Sequence, residues 1–182
     1  MRPIRLPAIM LAAIAIAGCD SGTVPPPGQR TTTDEGAEVA FDEIVLRGDG
    51  LAAGSESFYF SAGENEVDAA VEKIAGKAIG RTENGGCGSG PLSLVTYPDG
   101  LTANYQDGRL VGWTLMSQSE SIRVEGDLEF GANVDDARAA DGFVMLEPTA
   151  LGQEFALGSD IGGFVSDGTV TVLYAGSQCF SR

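Results

Sequence analysis

Apolar residues recur with two different periods along the chain, and each period predicts its own kind of element. In the segment that begins at Glu64, they recur with the spacing of one helix face and predict an amphipathic helix; they are Val67, Val71, Ile74, Ala75 and Ala78. Glu64 and Glu66 at the start of this segment suit the positive end of a helix dipole. Gly76 or Gly80 is expected to end the helix.

After residue 90 the pattern changes to the alternation of apolar and polar residues that is typical of strands. Residues 91–97 and 101–106 predict two strands, separated by a turn at 98–100. Asp107-Gly108 then favours the positive φ angles of a tight hairpin turn, and residues 109–116 return as the partner strand. The sequence therefore predicts a three-stranded antiparallel meander.

The second half of the chain echoes the first. Residues 128–140 resemble 58–71, because both run from an aromatic residue through a glycine and a polar turn into an alanine-rich helix. Residues 162–176 resemble 101–115, and Asp167-Gly168 lies sixty residues after its counterpart in the first half. This similarity indicates an internal duplication.

We therefore expect an α+β fold in which two degenerate helix-plus-antiparallel-meander repeats pack as one domain over residues 41–182. The first repeat spans about 41–117 and opens with a strand at Ile44–Leu46, and the second spans about 118–182. The second helix is expected to be cut short by Asp141-Gly142. Each sheet would have one apolar face, which needs the other repeat or a helix to cover it.

The N-terminus has the features of an export signal. Arg2 and Arg5 form a basic start, and residues 9–17 form an apolar run that is too short to span a bilayer as a mature helix. The run ends in Ile-Ala-Gly-Cys at Cys19, which resembles the lipobox of bacterial lipoproteins. The alternatives are an ordinary cleaved signal with a chance cysteine, or an uncleaved anchor.

The lipobox resemblance implies cleavage before Cys19 and attachment of diacylglyceryl to its sulfur. Residues 1–18 would be the signal peptide, and residues 19–40, rich in Pro, Gly, Thr and acidic residues, a lipidated N-terminus with a flexible linker. The domain would then be held at a bacterial envelope membrane, facing the periplasm. The choice between inner and outer membrane stays open, because the meaning of Asp20 after the acceptor cysteine varies among bacteria.

Composition excludes several classes of function. The formal net charge of −15 disfavours nucleic acid and anionic lipid as partners, and it suits a basic protein or divalent cations. The chain contains no histidine, which removes Ser-His-Asp and Cys-His catalysis and the usual zinc and copper sites. The adjacent acids at 42–43 and 135–136 and the nearby pair at 64 and 66 do not form a convincing catalytic dyad. No cofactor or metal site is expected, and a carboxylate-based hydrolase is the enzymatic alternative.

Two cysteines remain beside Cys19. Cys87 lies in the glycine-rich stretch TENGGCGSGP (82–91), and Cys179 follows the last predicted strand. An even pair in an exported chain predicts a disulfide that links the two repeats. A phosphate-binding loop would need Lys-Ser/Thr and a helix after the last glycine, and a nucleophilic cysteine would need a nearby base.

Trp113 and Tyr105 are the candidates for an exposed aromatic surface that binds a glycan, another ligand or a partner protein. The competing interpretation places both in the core, since aromatic residues fit half-buried sheet faces.

The segments ENGGCGSGPLSLVTYPDGLTANYQDGRLVGWTL and VTVLYAGSQCF, together with the lipobox, resemble small lipoproteins of Gram-negative bacteria. The helix-then-sheet plan is similar to β-lactamase-inhibitor-protein-like domains and to the small lipoprotein of the outer-membrane barrel assembly machine. This resemblance implies a non-catalytic scaffold or interaction module of the cell envelope with an envelope protein as partner. The alternative is a lipoprotein that binds a small ligand, a metal or a glycan. An aspartate-semialdehyde dehydrogenase assignment, sometimes given to such sequences, lacks its nucleotide fingerprint and its histidine here.

Overall fold

A computed structural model describes residues 42–126, 128–158 and 160–180. The predicted signal peptide (1–18), the acceptor Cys19 and the linker up to residue 40 lie outside the described residues. The helices are α1 (Glu64–Ala75) and α2 (Val134–Ala137), with a 3-10 turn at Pro98–Gly100. The strands are β1 (Ile44–Arg47), β2 (Gly50–Ala53), β3 (Glu56–Tyr59), β4 (Gly80–Asn84), β5 (Leu92–Thr96), β6 (Leu101–Gln106), β7 (Arg109–Leu115), β8 (Ile122–Val124), β9 (Phe143–Met145), β10 (Gln153–Leu157), β11 (Ile161–Ser166) and β12 (Thr169–Gly176).

The strands form two sheets and make up most of the regular structure, so the fold is α+β or mainly β. A four-stranded sheet has the order β3-β2-β1-β8, with β1 and β8 parallel. An eight-stranded sheet has the order β4-β5-β6-β7-β12-β11-β10-β9, and every neighbouring pair in it is antiparallel. The chain thus builds one half of the large sheet from β4–β7 and the other from β9–β12, and the halves meet where β7 pairs with β12.

The predicted helix is confirmed as α1, with Val67 and Val71 fully buried. It ends at Ala75 because Gly76 adopts φ 86°, a left-handed backbone conformation that glycine adopts at little cost. The prediction that Ala78 continues the buried stripe is wrong, because Ala78 lies beyond this stop and is exposed.

The predicted meander is confirmed as β5, β6 and β7. Asp107 and Gly108 have φ of 51° and 70°, as a two-residue hairpin turn of this type requires. The sequence did not predict β4, which takes Thr82–Asn84 out of the supposed glycine-rich loop and pairs them with β5. Since β4 is mostly exposed and polar, it carries no alternating apolar pattern.

The second half has a short helix and a hairpin of the same kind. α2 has four residues and ends at Ala137, before Asp141 is reached. Asp167 and Gly168 have φ of 50° and 78°, and they join β11 to β12. The strands β9 and β10 complete this half, although the sequence did not predict them.

One face of the large sheet is covered by α1, α2 and the four-stranded sheet. Between these layers lies the core, into which Trp113 of β7 projects so that its Nε1 donates to the carbonyl oxygen of Arg47 in β1, at 2.8 Å. On the large sheet the covered positions form a continuous row of paired residues across six neighbouring strands, β5, β6, β7, β12, β11 and β10: Val95, Ala103, Trp113, Ala175, Ile161 and Leu157. Within the described residues, no helix has both the length and the apolar character needed to cross a membrane.

Candidate functional site: the open face of the large sheet

No helix or strand of the described residues 42–126, 128–158 and 160–180 covers the opposite face of the large sheet, which is here called the open face. Its central row crosses all eight strands in register: Gly80, Thr96, Thr102, Thr114, Tyr174, Gly162, Ala156 and Val144. Thr96, Thr102 and Tyr174 are half-buried, and Val144 at the edge is 55% exposed. Side chains of successive strand residues alternate between faces, so this row points away from the core.

The open face carries little charge at its centre. Glu154 of β10 is its acidic residue near the middle, and it is only 3% exposed. The Tyr174 hydroxyl donates a hydrogen bond to Glu154. The Tyr174 ring lies over Gly162, where a Cβ would come within 2.4 Å of it. Glycine at 162 therefore lets the tyrosine lie flat across the neighbouring strand.

A C-terminal segment, residues 177–180, crosses this face and is here called the strap. Asn104 Nδ2 donates to the Ser177 carbonyl oxygen at 2.8 Å and to Gln178 Oε1 at 3.0 Å. Thr114 Oγ1 donates to the same Gln178 Oε1 at 2.7 Å. Gln178 Nε2 in turn donates to the carbonyl oxygens of Trp113 and Ala175, at 3.0 and 2.7 Å. These bonds fix the strap to the middle of the sheet.

The strap can lie this close because two glycines face it. A Cβ at Gly112 would come within 2.5 Å of the Ser177 carbonyl oxygen, and one at Gly176 within 2.2 Å of the Val111 carbonyl oxygen. Gly176 also has φ 71°, which turns the chain out of β12 into the strap. A side chain at Gly112 would displace the strap, and one at Gly176 would meet the backbone of β7 and the Phe60 ring.

The end of the strap adds an aromatic cluster to the open face. The Phe180 ring meets the rings of Phe164 and Tyr174 edge-on, with centroids 5.2 and 5.1 Å apart. Beside it, a cleft of about 320 Å³ opens between the strap and the glycine-rich loop, with Gly88, Ser89 and Gln178 in its lining. Aromatic rings and amide groups thus share one partly exposed surface.

The predicted cysteine pair fastens this arrangement. Cys87 and Cys179 are joined in a disulfide, with their Cα atoms 4.9 Å apart. The loop that carries Cys87 is itself held by Gln106, whose Nε2 donates to the Ser89 carbonyl oxygen at 2.9 Å. The disulfide therefore ties the β4–β5 loop of one half of the sheet to the strap that follows β12 of the other.

Trp113 and Tyr105 do not form the exposed aromatic surface considered for them. Both are 0% exposed and belong to the core, which was the competing interpretation. They lie on the covered face because Trp113 and Ala103 are paired residues there and Tyr105 follows Ala103 by two positions. The half-buried aromatic side chains at the open face are instead Tyr174 of β12 and Phe180 of the strap, which no separate sequence pattern indicated.

Tyr105 belongs to a buried polar cluster beneath α1. Asp68 Oδ1 accepts hydrogen bonds from the hydroxyls of Tyr97 and Tyr105, the latter at 2.6 Å. Asp68 Oδ2 accepts from Arg81 Nη2 at 2.9 Å, and Arg81 also pairs with Glu64. Burial, and secondarily the bond to Asp68, raises the pKa of both tyrosines well above the usual value. The arginine pKa is also raised, chiefly by its hydrogen bond to Glu64.

This cluster joins helix to sheet and offers no room for a substrate. Tyr97 and Tyr105 are both completely buried, so a reacting molecule would not reach their hydroxyls. No group of three or more His, Cys, Asp or Glu side chains within the described ranges could hold a metal ion. The adjacent acids Asp135 and Asp136 are both exposed, and Asp135 pairs with Arg138 at 3.0 Å on the surface.

Sequence reasoning missed the open face, although a signal for it was present. The alternation in LTANYQ that placed Leu101 and Ala103 on the apolar face also placed Thr102 and Asn104 on the opposite one. No protein-family model matches the chain, and neither does any curated protein or solved structure. The similarity to β-lactamase-inhibitor-protein-like domains therefore stays a prediction.

Proposed function

We propose that this protein is a non-catalytic, lipid-anchored interaction module of the bacterial cell envelope, and that the open face binds its partner. Cys19 carries the lipid, residues 19–40 form the tether, and the domain faces the periplasm. The observation that carries the proposal is the open face itself. Within the part of the chain that the structure describes, one face of the eight-stranded sheet is covered by secondary structure, and the other is crossed only by a short strap that a disulfide fastens.

The composition of the open face resembles that of a protein–protein interface. The centres of such interfaces are depleted in charged residues and enriched in aromatic ones, and charged residues surround them. Here the centre consists of Thr102, Thr114, Tyr174 and Phe180, while the strong negative charge of the chain is carried elsewhere. Because the strap is fixed by a disulfide and several hydrogen bonds, the surface is held in one conformation before binding, which lowers the entropic cost of association.

The partner that fits this surface is a basic envelope protein. A net charge of −15 attracts a basic protein over a longer range than the contact itself and repels acidic ones. The anchor and the tether would restrict the search for this partner to the space next to one membrane. We place no charged contact at the centre of the interface, where Glu154 is already bound to Tyr174.

We also propose that the domain arose by duplication of a helix-plus-meander unit. The pairing of the two central strands supports this. Trp113 pairs with Ala175; the residue sixty positions after Trp113 is Leu173, the residue sixty positions before Ala175 is Leu115, and these two are also paired. Two equivalent units related by a two-fold axis through the sheet would give this exchange. The strand order, β4 to β7 followed by β12 to β9, has the same symmetry.

Local details support the duplication further. Each hairpin has an irregularity at the equivalent place, between Asn104 and Tyr105 in one half and between Phe164 and Val165 in the other. Each helix also begins on the turn of its own hairpin. The first helical amide, of Glu64 or Val134, donates to the carbonyl oxygen of the turn glycine, at 3.0 or 2.8 Å.

The test is photo-crosslinking in intact cells with the full-length, lipidated protein. A benzophenone amino acid is placed at Thr102 or Val144 on the open face, and the matched control carries it at Asn65, an exposed position of α1 on the covered side. We expect one dominant basic envelope protein to be captured from both open-face positions and not from Asn65. Equal capture from all three positions, or none from the open face, would contradict the proposal.

The cleft beside the strap favours one alternative, a glycan or other small polar ligand held between the glycine-rich loop and the rings of Tyr174 and Phe180. Because Trp113 is buried, quenching of its fluorescence is a poor test of binding there. Thermal unfolding in the presence of cell-wall saccharides is a better one, since a ligand of the folded state raises the melting temperature. A rise that is lost in Phe180→Ala would support the ligand, and no rise with any saccharide would leave the protein partner as the function.

A further inference from the structure

A second cavity lies away from the open face, beside the end strand of the four-stranded sheet. This cleft has a volume of about 260 Å³ and a lining that is apolar on one side: Leu115, Ile122, Val124, Leu128 and Phe130. Gln118, Ser119 and Arg123 stand at its polar side. The cleft is smaller than the roughly 300–1,000 Å³ of most small-molecule sites, and it suits one or two apolar side chains.

The backbone of β8 is also turned towards this cleft. Its flanking groups bond to β1, with the Ile44 amide donating to the Ser121 carbonyl oxygen at 2.7 Å and the Glu125 amide donating to the Leu46 carbonyl oxygen at 2.8 Å. Strand peptide groups alternate in direction, so the amide of Ile122 points away from β1 and towards the side on which the cleft lies.

The chain outside the described residues ends next to this cleft. Described structure begins at Asp42, and Glu43 Oε2 accepts a hydrogen bond from Arg123 Nε at 2.9 Å. Arg123 lines the cleft, so the chain enters the domain at the cleft wall. At about 3.5 Å per extended residue, Phe41 and Val39 lie within reach of the cavity.

The composition of that segment identifies it as the occupant. Between residues 28 and 41 the large apolar side chains are Val39 and Phe41, and the rest are small, polar or charged. A phenylalanine side chain exposed in a solvated linker contributes nothing to stability, whereas burial of such a ring is favourable by roughly 1.5–3 kcal/mol in general. The cleft offers an apolar surface for such a ring, and it lies next to the point where the chain enters the domain.

We propose that the chain's own residues 39–41 dock in the cleft beside β8, with the Phe41 side chain among Leu115, Leu128 and Phe130. The folded domain then begins at Val39 and includes the docked segment, so the linker joins the domain at Val39 and not at Asp42. The docked segment leaves the domain on the covered side of the large sheet, so a molecule that binds the open face does not meet it. The proposal does not depend on a lipid at Cys19.

Photo-crosslinking within the purified full chain tests the docking directly. A benzophenone amino acid replaces Phe41, and in the matched control it replaces Thr33, another linker residue. We expect irradiation of the first protein to join residue 41 to peptides that contain the cleft residues 115–130, several-fold more than in the control. Gln118→Trp, which fills the cleft from an exposed lining position, should reduce this crosslink, and Glu120→Trp beside it should not.

Thermal unfolding gives an independent readout on the same chain. Phe41→Ser should lower the melting temperature by several degrees, as loss of a buried aromatic side chain does, while Thr33→Ser should leave it unchanged. The proposal is overturned by crosslinks from position 41 that do not exceed the control, or by crosslinks that join residue 41 to a second copy of the chain. It is also overturned if Phe41→Ser and the parent protein have the same melting temperature.

Discussion

The two halves of the large sheet hold their helices in different ways. In the first half, a helix of 12 residues is bound through a charged group, because Asp68 accepts hydrogen bonds from two buried tyrosines of the sheet. In the second half, the helix has four residues and buries Ala137, and the sheet of this half contains stacked aromatic side chains, Phe143 and Phe155, with centroids 4.9 Å apart. One half relies on a buried polar cluster and the other on apolar packing.

This difference has consequences for how each half responds to change. A buried network of hydrogen-bonded side chains fixes one geometry. If one side chain of the network is removed, the polar atoms that were bonded to it stay buried with neither water nor another hydrogen-bond partner. Apolar packing tolerates substitution better, provided that volume is kept. The first half should therefore be more sensitive to single polar substitutions, and the two halves should depend on each other through the disulfide and the strap.

Removal of the disulfide should give the largest effect, because this bond joins the two halves. The cysteines are 92 residues apart in sequence, and in the chain-entropy model a loop of this size contributes about 4–5 kcal/mol. The double variant Cys87→Ala, Cys179→Ala should lose about this much free energy of unfolding in a urea titration. Ser89→Ala in the same loop is the control, since Gln106 bonds to its backbone and not to its side chain. A loss below about 1 kcal/mol would mean that the strap is held without the disulfide.

Asp68→Ala should give the second-largest loss in free energy of unfolding, and it should show most clearly that the two halves differ in sensitivity. The variant leaves the hydroxyls of Tyr97 and Tyr105 buried without their acceptor, at about 1–3 kcal/mol each. Asp135→Ala in α2 is the matched change, because Asp135 is exposed and makes only a surface ion pair. Chemical denaturation of both variants measures the contrast. Similar losses in the two would show that the buried cluster adds no special sensitivity to the first half.

Alkaline pH should also act on the first half, through its two buried tyrosines. The raised pKa of Tyr97 and Tyr105 means that the folded state holds their protons more tightly than the unfolded state does. Their contribution is therefore complete below pH 10, the ordinary tyrosine pKa, and is lost as the pH rises above it. Each tyrosine should add a fall of about 1.4 kcal/mol per pH unit to the free energy of unfolding.

Denaturation at several pH values between 8 and 11.5 measures this slope. The variant with both Tyr97→Phe and Tyr105→Phe should have a flatter profile above pH 10, by up to about 2.7 kcal/mol per unit. The lysines and the exposed Tyr59 are the same in both proteins, so the comparison removes their contribution. Parallel profiles would show that the two hydroxyls are not held by burial and by Asp68.

The sequence predicted those parts of the fold whose signals are local. The apolar stripe of α1, the alternation of β5–β7 and the positive-φ turn at Asp107-Gly108 each lie within a few residues, and all were confirmed. The strands β4 and β9 were missed because edge strands are short or exposed and need no apolar alternation. Their place in the sheet is decided by neighbours far away in the chain.

The candidate site was harder to predict for the same reason. The strap depends on Gln178, whose hydrogen bonds go to Asn104 and Thr114 at separations of 74 and 64 residues. No local pattern indicates such contacts. The cysteine pair was the exception, because its assignment rested on compartment and on an even number of cysteines and not on distance along the chain. The cluster around Asp68 has no sequence signal beyond a polar residue on an otherwise apolar helix face.

Substitutions at the caps of the two helices should give the smallest change in stability. Here it is the second half, not the first, whose helix is capped by a polar side chain. α2 begins at Asn133, whose Oδ1 accepts from the Asp135 amide at 2.9 Å, while α1 begins at Gly63 with no side-chain cap. Gly63 has φ −68°, and a Cβ there would find its nearest neighbour at 3.6 Å, so asparagine fits without strain. Gly63→Asn should stabilise the protein by a few tenths of a kcal/mol and Asn133→Gly should destabilise it by a similar amount, because asparagine exceeds glycine slightly as a cap. If the exchange of both caps changes the urea midpoint by more than either change alone, the two helix ends are coupled through the sheet that they share.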